Sequence, residues 1–222
     1  MTAAPPILRL VAVSKAYRSA GGTAVVLTDV DLTIQPGEKV SLMGPSGSGK
    51  STLLSLISGL LRPDTGTVEV DGVSIAALDD GARATLRSRR IGIALQSENL
   101  IPFLSAVENV ELALRFGRRR RNRARATELL DRLGVANRGG HLPRQLSGGE
   151  AQRVALAVAV ANQPGLLLTD EMVSALDTTT ASRIVDDVFD SEMAVLFVTH
   201  DAALADRAER RLVLHEHRVV SR

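Results

Sequence analysis

The sequence predicts an α/β fold: a parallel sheet with its site at the carboxyl ends of the strands, a flanking antiparallel β layer and an inserted α-helical segment. Three observations predict it. Gly44-Pro45-Ser46-Gly47-Ser48-Gly49-Lys50-Ser51-Thr52 fits the G-x-x-x-x-G-K-[ST] phosphate-loop pattern. Short apolar runs end in polar residues at Gln96, Asp170-Glu171 and His200. Helical patterning takes over between Ser97 and Ala161.

In order along the chain, Ile7 to Val13 and Ala24 to Ile34 are rich in β-branched residues and alternate in part, which predicts two strands joined by a loop at Arg18 to Thr23. Tyr17 sits at that loop's edge. Lys39 to Met43 reads as a buried strand running into the glycines, and Ser51 to Ile57 as the helix after them. Thr67 to Val70, followed by Asp71-Gly72, adds a strand and turn to the antiparallel layer. A helix over Asp79 to Arg89 precedes a buried strand, Ile91 to Leu95, that ends at Gln96. Helices follow at Ala106 to Phe116, Ala124 to Leu133 and after Leu146. Gly165 to Thr169 is a short apolar strand ending in Asp170-Glu171, Thr179 to Phe189 a helix, and Ala194 to Thr199 another apolar strand ending in His200-Asp201. A hairpin over Leu212 to Val220 closes the chain. At 222 residues this is one domain: 1–96 with 162–222 form the core and β subdomain, and 97–161 the helical subdomain.

Composition narrows the function classes. Formal net charge is +2, and lysine occurs only at 15, 39 and 50, so arginine makes up the other 24 of the 27 basic residues. A pI of about 9.5 therefore reflects late-titrating guanidinium groups rather than a basic face, and nucleic-acid binding is not indicated. The absence of cysteine excludes disulfides and thiolate metal sites and suits a reducing compartment. Met1 to Pro6 lacks the charged and apolar regions of a signal peptide. No apolar run approaches the ~20 residues needed to span a bilayer, so a membrane role must come through a partner. The run Arg118 to Arg125 reads either as a solvated loop and helix start or as a contact for anionic lipid headgroups.

Glycines let the backbone curl so that the N–H groups of Gly47 to Thr52 point into one concavity, to which a helix N-terminus adds partial positive charge. A nucleoside triphosphate fits there. Lys50 reaches its β- and γ-phosphates and Ser51 offers a hydroxyl to Mg²⁺. Asp170, at the end of an apolar strand, holds that metal directly or through water, and Glu171, one residue on, polarises the attacking water as general base. Paired acids at a strand end can also simply cap the next helix. Gln96 is placed to bond the water or the metal, and His200 the γ-phosphate. Ser147 and Glu150 form an S-x-x-E capping box, and Gly148-Gly149 leave the first-turn amides uncovered, so a phosphate can dock there too. A second anion site in one chain suggests that it serves another subunit's nucleotide.

Gly44 to Ser51, Gln96, Leu146-Ser147-Gly148-Gly149-Glu150, Leu167 to Glu171, Ser174-Ala175-Leu176-Asp177 and Thr199-His200-Asp201 together resemble the ATP-binding cassette (ABC) ATPases, in the family's order and over nearly the whole chain. The resemblance implies a P-loop NTPase (RecA-like) core and the ATP-hydrolysing subunit of a transporter. It also implies two cassettes, taken as copies of one chain, packed head to tail. Each ATP would lie between the phosphate loop of one copy and Ser147, Gly148, Gly149 and Glu150 of the other, with Asp177 in the dimer-contact loop. It further implies Tyr17 stacking on adenine, although an ordinary half-buried aromatic at a strand end explains the residue as well. Gln96-Ser97-Glu98-Asn99-Leu100-Ile101-Pro102 and Val107 to Leu112 are similar to the lipoprotein-release, macrolide-efflux and cell-division group. That likeness implies an integral membrane permease as partner and a cytoplasmic, membrane-peripheral location. The alternative it leaves is an ATPase that regulates an extracytoplasmic enzyme through a membrane partner, without transport. The chain departs from the family at Met172-Val173, where a proline usually stiffens the loop, and at Val158, where many members carry arginine.

Overall fold

Residues 4–19, 22–95, 100–117 and 122–221 are described by the computed structural model. Gln96 and Arg118 to Arg121 lie outside them. In chain order the strands are β1 (Leu8–Ser19), β2 (Gly22–Ile34), β3 (Lys39–Met43), β4 (Thr65–Val70), β5 (Val73–Ser74), β6 (Ile91–Ala94), β7 (Leu166–Asp170), β8 (Ala194–Val198), β9 (Arg210–His215) and β10 (Arg218–Ser221). The helices are α1 (Lys50–Ile57), α2 (Asp80–Arg90), α3 (Ala106–Phe116), α4 (Arg123–Arg132), α5 (Gly148–Val160), α6 (Thr178–Phe189) and α7 (Ala202–Ala205).

Two sheets result. One is antiparallel in the order β2-β1-β4-β5. The other runs β10-β9-β3-β8-β7-β6, parallel from β9 to β6, with β10 antiparallel at its edge. In β7 and β8 every apolar residue is buried, and alternate residues enter different cores. Leu166, Leu168, Leu196 and Val198 face the core shared with α1 and the antiparallel sheet, whereas Leu167, Val195 and Phe197 face the core built on α3 to α6. A strand covered on both faces reads as a continuous apolar run, which is why these strands show no alternation in the sequence.

Strand β1 runs six residues beyond the expected end at Val13, and β2 starts at Gly22 rather than Ala24. A bulge explains the difference. Ala12 takes φ +49°, donates its N–H to Asp31 Oδ1 at 2.9 Å, and shifts the pairing with β2 between Leu10 and Val13, so the period-two pattern breaks while the strand continues. Tyr17 consequently lies within β1, paired with Ala24, and not at the edge of a loop. The short α7 was not expected; Asp201 creates it by accepting hydrogen bonds from the N–H groups of Ala203 (2.8 Å) and Leu204 (3.3 Å).

The entry to β3 is fixed by a buried lysine. Lys39 is only 5% exposed, and its Nζ donates to the carbonyls of Gly37 (2.6 Å), Ser191 (2.8 Å) and Met193 (2.8 Å). Burial holds its pKa below the usual lysine range, partly offset by Glu209 and Asp190. The bonds to Ser191 and Met193 fasten β3 to the segment leading into β8, and the one to Gly37 closes the turn before β3. Lys39→Met leaves three carbonyls without their donor and should cost about 3 kcal/mol of unfolding free energy, measured by urea denaturation. A loss below ~1 kcal/mol would mean that water replaces the ammonium at no cost.

Candidate functional site

The parallel strands bring their carboxyl ends to one edge. Leu42 of β3 and Asp170 of β7 both register with Val198 of β8, so the three strands end level. From that row the chain continues into Gly44–Gly49, Glu171 and His200.

The Gly44–Gly49 loop curls tightly. A Cβ on Gly44 would sit 2.6 Å from the carbonyl oxygen of Leu214 in β9, and one on Gly49 would sit 2.7 Å from Val26 Cγ1 in β2. Gly49 also takes φ +109°, ψ +8° as the N-cap of α1. No side chain caps that helix, and its first turn holds no acidic residue, so the amides are left for an anion. Lys50 is 8% exposed and its Nζ donates to the carbonyls of Gly44 and Pro45, both at 2.8 Å, which closes the loop around the ammonium. Ser48 Oγ is buried and has no hydrogen-bond partner among the described residues. Ser51 Oγ donates to Asp170 Oδ2 at 3.3 Å, joining the start of α1 to the end of β7. A hydroxyl beside a carboxylate is an oxygen pair suited to Mg²⁺, which takes only one or two protein ligands and fills its octahedron with phosphate oxygens and water.

Glu171 follows in a left-handed conformation, φ +60°, with its N–H donating to Val198 O at 3.0 Å. Its Oε1 is buried, lacks a hydrogen bond among the described residues and stands 3.8 Å from His200 Nε2. That separation is too long for a direct hydrogen bond. His200 itself is exposed.

The segment Ser147-Gly148-Gly149-Glu150 opens α5 as a full capping box. Glu150 N–H donates to Ser147 Oγ at 3.2 Å and Ser147 N–H to Glu150 Oε2 at 2.8 Å. Arg138 Nε donates to Glu150 Oε1 at 2.7 Å, a partner that spacing in the sequence did not reveal. Among the described residues the side-chain hydrogen bonds of this segment run within the box and to Arg138, and none reaches Gly44–Thr52. Asp177 caps α6 by accepting from Thr180 N–H at 3.0 Å, and that backbone bond pulls its pKa below the carboxylate range. Tyr17 is partly exposed, with Lys15 Nζ 5.9 Å from its ring centroid. Gln152 of α5 was also not singled out from the sequence. It is a polar residue at the head of an apolar helix, and its side chain reaches the backbone of Glu171 and Ala175.

The chain is similar to known proteins. Residues 27–174 match the family model described as ABC transporter. The lipoprotein-releasing system ATP-binding protein LolD of Hyphomonas neptunium is 39% identical over 97% of both chains, and that of Pseudomonas syringae pv. tomato is 44% identical over 93% of both. The macrolide export ATP-binding/permease protein MacB of Rhodopseudomonas palustris is 42% identical over 92% of this chain but only 32% of its own length. A dimeric post-hydrolysis state of the ATP-binding cassette MJ0796, bound to ADP and Pi, superimposes with a TM-score of 0.91 at 38% identity over 97% of both chains. Among the described residues, no helix is long and apolar enough to cross a membrane.

The Ser147 N–H, followed by Arg138, holds the Glu150 pKa down at about 2, from an ordinary 4.5. The folded chain thus keeps this carboxylate ionised at a pH where the unfolded chain protonates it. Its contribution to stability is complete above pH 4.5 and disappears as the pH falls toward 2. Glu150→Gln should lose stability less steeply than the parent in that window, read as denaturant midpoints at a series of pH values. Parallel acid limbs would show that the carboxylate does not stabilise the cap.

Proposed function

The chain belongs to the ABC transporter family as an ATP-binding and hydrolysing subunit, and we propose how its residues divide that work. The observation that carries the reading is the meeting of three strand ends: Ser51 bonded to Asp170, and Glu171 Oε1, without a hydrogen bond among the described residues, facing His200 Nε2 across 3.8 Å.

Gly44, Pro45, Ser46, Gly47, Ser48, Gly49, Lys50, Ser51 and Thr52 bind the nucleotide's phosphates, the backbone N–H groups acting with the uncapped helix end. Lys50 exchanges its two loop carbonyls for phosphate oxygens. Tyr17 lies against the adenine. Ser51, Gln96 and Asp170 would hold Mg²⁺, which when bound neutralises charge on the β- and γ-phosphates. Glu171 accepts a proton from the water that attacks the γ-phosphorus, and the bond to the ADP oxygen breaks as the new P–O bond forms. His200 donates a hydrogen bond to the γ-phosphate, and Gln96 helps orient the water. Ser147, Gly148, Gly149 and Glu150 contact the ATP of a second copy, with Asp177 at the dimer seam. ATP binding closes the pair, and hydrolysis lets it reopen against the permease. The subunit works at the cytoplasmic face of the membrane. Its docking face lies on the helical layer, where Phe103 and Phe116 are 76% and 64% exposed.

Lys50→Ala should weaken ATP binding at least tenfold, measured by titration with a fluorescent nucleotide. Glu171→Gln should bind ATP normally and hydrolyse it roughly 100-fold or more slowly. Turnover at the parental rate in Glu171→Gln would remove the general base from the mechanism. Tagged Glu171→Gln, trapped with ATP and gently solubilised, should co-purify with its membrane partner. A permease with several spans supports transport, and a partner with few spans and a large extracytoplasmic domain supports force transmission instead.

A further inference from the structure

We propose that Gln152 is a positioning residue for Glu171, which makes α5 a mechanical link between the helix end that meets the second copy's ATP and the general base of its own site. The proposal rests on the reading of Glu171 just given.

Both ends of the Gln152 amide are used, and both on one loop. Nε2 donates to the carbonyl oxygen of Glu171, and Oε1 accepts from Ala175 N–H at 3.2 Å. The side chain therefore spans the segment Glu171-Met172-Val173-Ser174-Ala175 from its first residue to its last. That segment contains no proline, so bonds rather than a ring must fix its backbone. The other bonds are internal: Ser174 N–H and Oγ return to the Glu171 carbonyl at 3.3 and 3.2 Å, and Leu176 N–H to Val173 O at 3.1 Å. Internal bonds shape a loop without aiming it. Apart from the Glu171 N–H bond to Val198, the Gln152 amide is the polar tie that anchors this loop to another element among the described residues.

Aiming is needed because Glu171 holds φ +60°, a conformation that L side chains rarely adopt without outside support. The support is stiff. Gln152 stands on the second turn of α5, and the first turn touches the same loop directly: a Cβ on Gly149 would lie 2.7 Å from the carbonyl oxygen of Ala175 and 3.0 Å from Leu176 Cδ2. Met172 is buried beneath. With no slack at Gly149 and a two-point clamp at Gln152, a displacement of the α5 N-terminus carries Glu171 with it. Occupation of Ser147–Gly149 by the second copy's ATP is thereby felt at the base.

The test uses the purified full chain. Gln152→Ala should lower kcat about tenfold, with KM for ATP unchanged and the thermal midpoint within a few degrees of the parent, because the bond lost aims a group and does not bind the nucleotide. Gln152→Glu keeps an acceptor for Ala175 N–H but loses the donor to the Glu171 carbonyl, and should show the same loss in kcat. It serves as the second variant should alanine fail to fold. In a double-mutant cycle, Gln152→Ala added to Glu171→Gln should leave the residual single-turnover rate unchanged, since a residue acting only through Glu171 has nothing left to position. Parental kcat in Gln152→Ala, or a further tenfold slowing in the Glu171→Gln background, overturns the proposal. Parental turnover in Glu171→Gln alone overturns the base assignment itself, and with it this proposal. A slow Glu171→Gln beside a fast Gln152→Ala overturns the clamp only.

Discussion

The constraint on which the site depends is the parallel, level pairing of β3, β8 and β7. Val198 registers with Leu42 on one side and Asp170 on the other, and neighbouring strands lie about 4.8 Å apart. The phosphate-loop strand and the carboxylate strand are thus separated by one strand, about 10 Å, which the Gly44–Gly49 loop and the first turn of α1 span to put Ser51 beside Asp170. A residue slip in β8 would break that level row and turn its side chains from one core to the other. Burial of β7 and β8 on both faces is what forbids the slip.

Above that row the chain keeps several polar groups in costly states. Lys50 is almost buried on two carbonyls, Glu171 Oε1 is buried without a hydrogen bond among the described residues, and Glu171 itself is left-handed. The capping box of α5 behaves differently. Its carboxylate is already paired with Ser147 and Arg138, so this helix end is capped by the chain itself.

Much of this was legible in the residues. The phosphate loop, the acids after β7 and the box at Ser147 announce themselves because their spacing is local, and the α/β class follows from apolar runs that end in polar residues. What stayed hidden is non-local or irregular. The Ala12 bulge breaks the alternation that would have extended β1 to Ser19, and α7 is too short to show a period. Arg138 and Gln152 find partners 12 and 19 or more residues away, through contacts that exist only once α5 is packed. Lys39 looks like any strand-edge lysine until three carbonyls converge on it.

The loop after Glu171 shows how one sequence difference can be absorbed by tertiary structure. Resemblance to the ABC ATPases implies a proline where this chain has Met172, and taken alone the substitution returns a backbone degree of freedom. Folding takes that freedom away by other means. Met172 is buried to 3% exposure in the core beside α5, and the two ends of the loop are tied by the Gln152 amide. A proline stiffens a loop wherever its surroundings stand, whereas a hydrogen-bond clamp stiffens it only relative to the helix that carries the clamp. In this chain the clamp leaves the loop ordered but makes its position depend on α5, the helix whose N-terminus presents Ser147 and the two glycines.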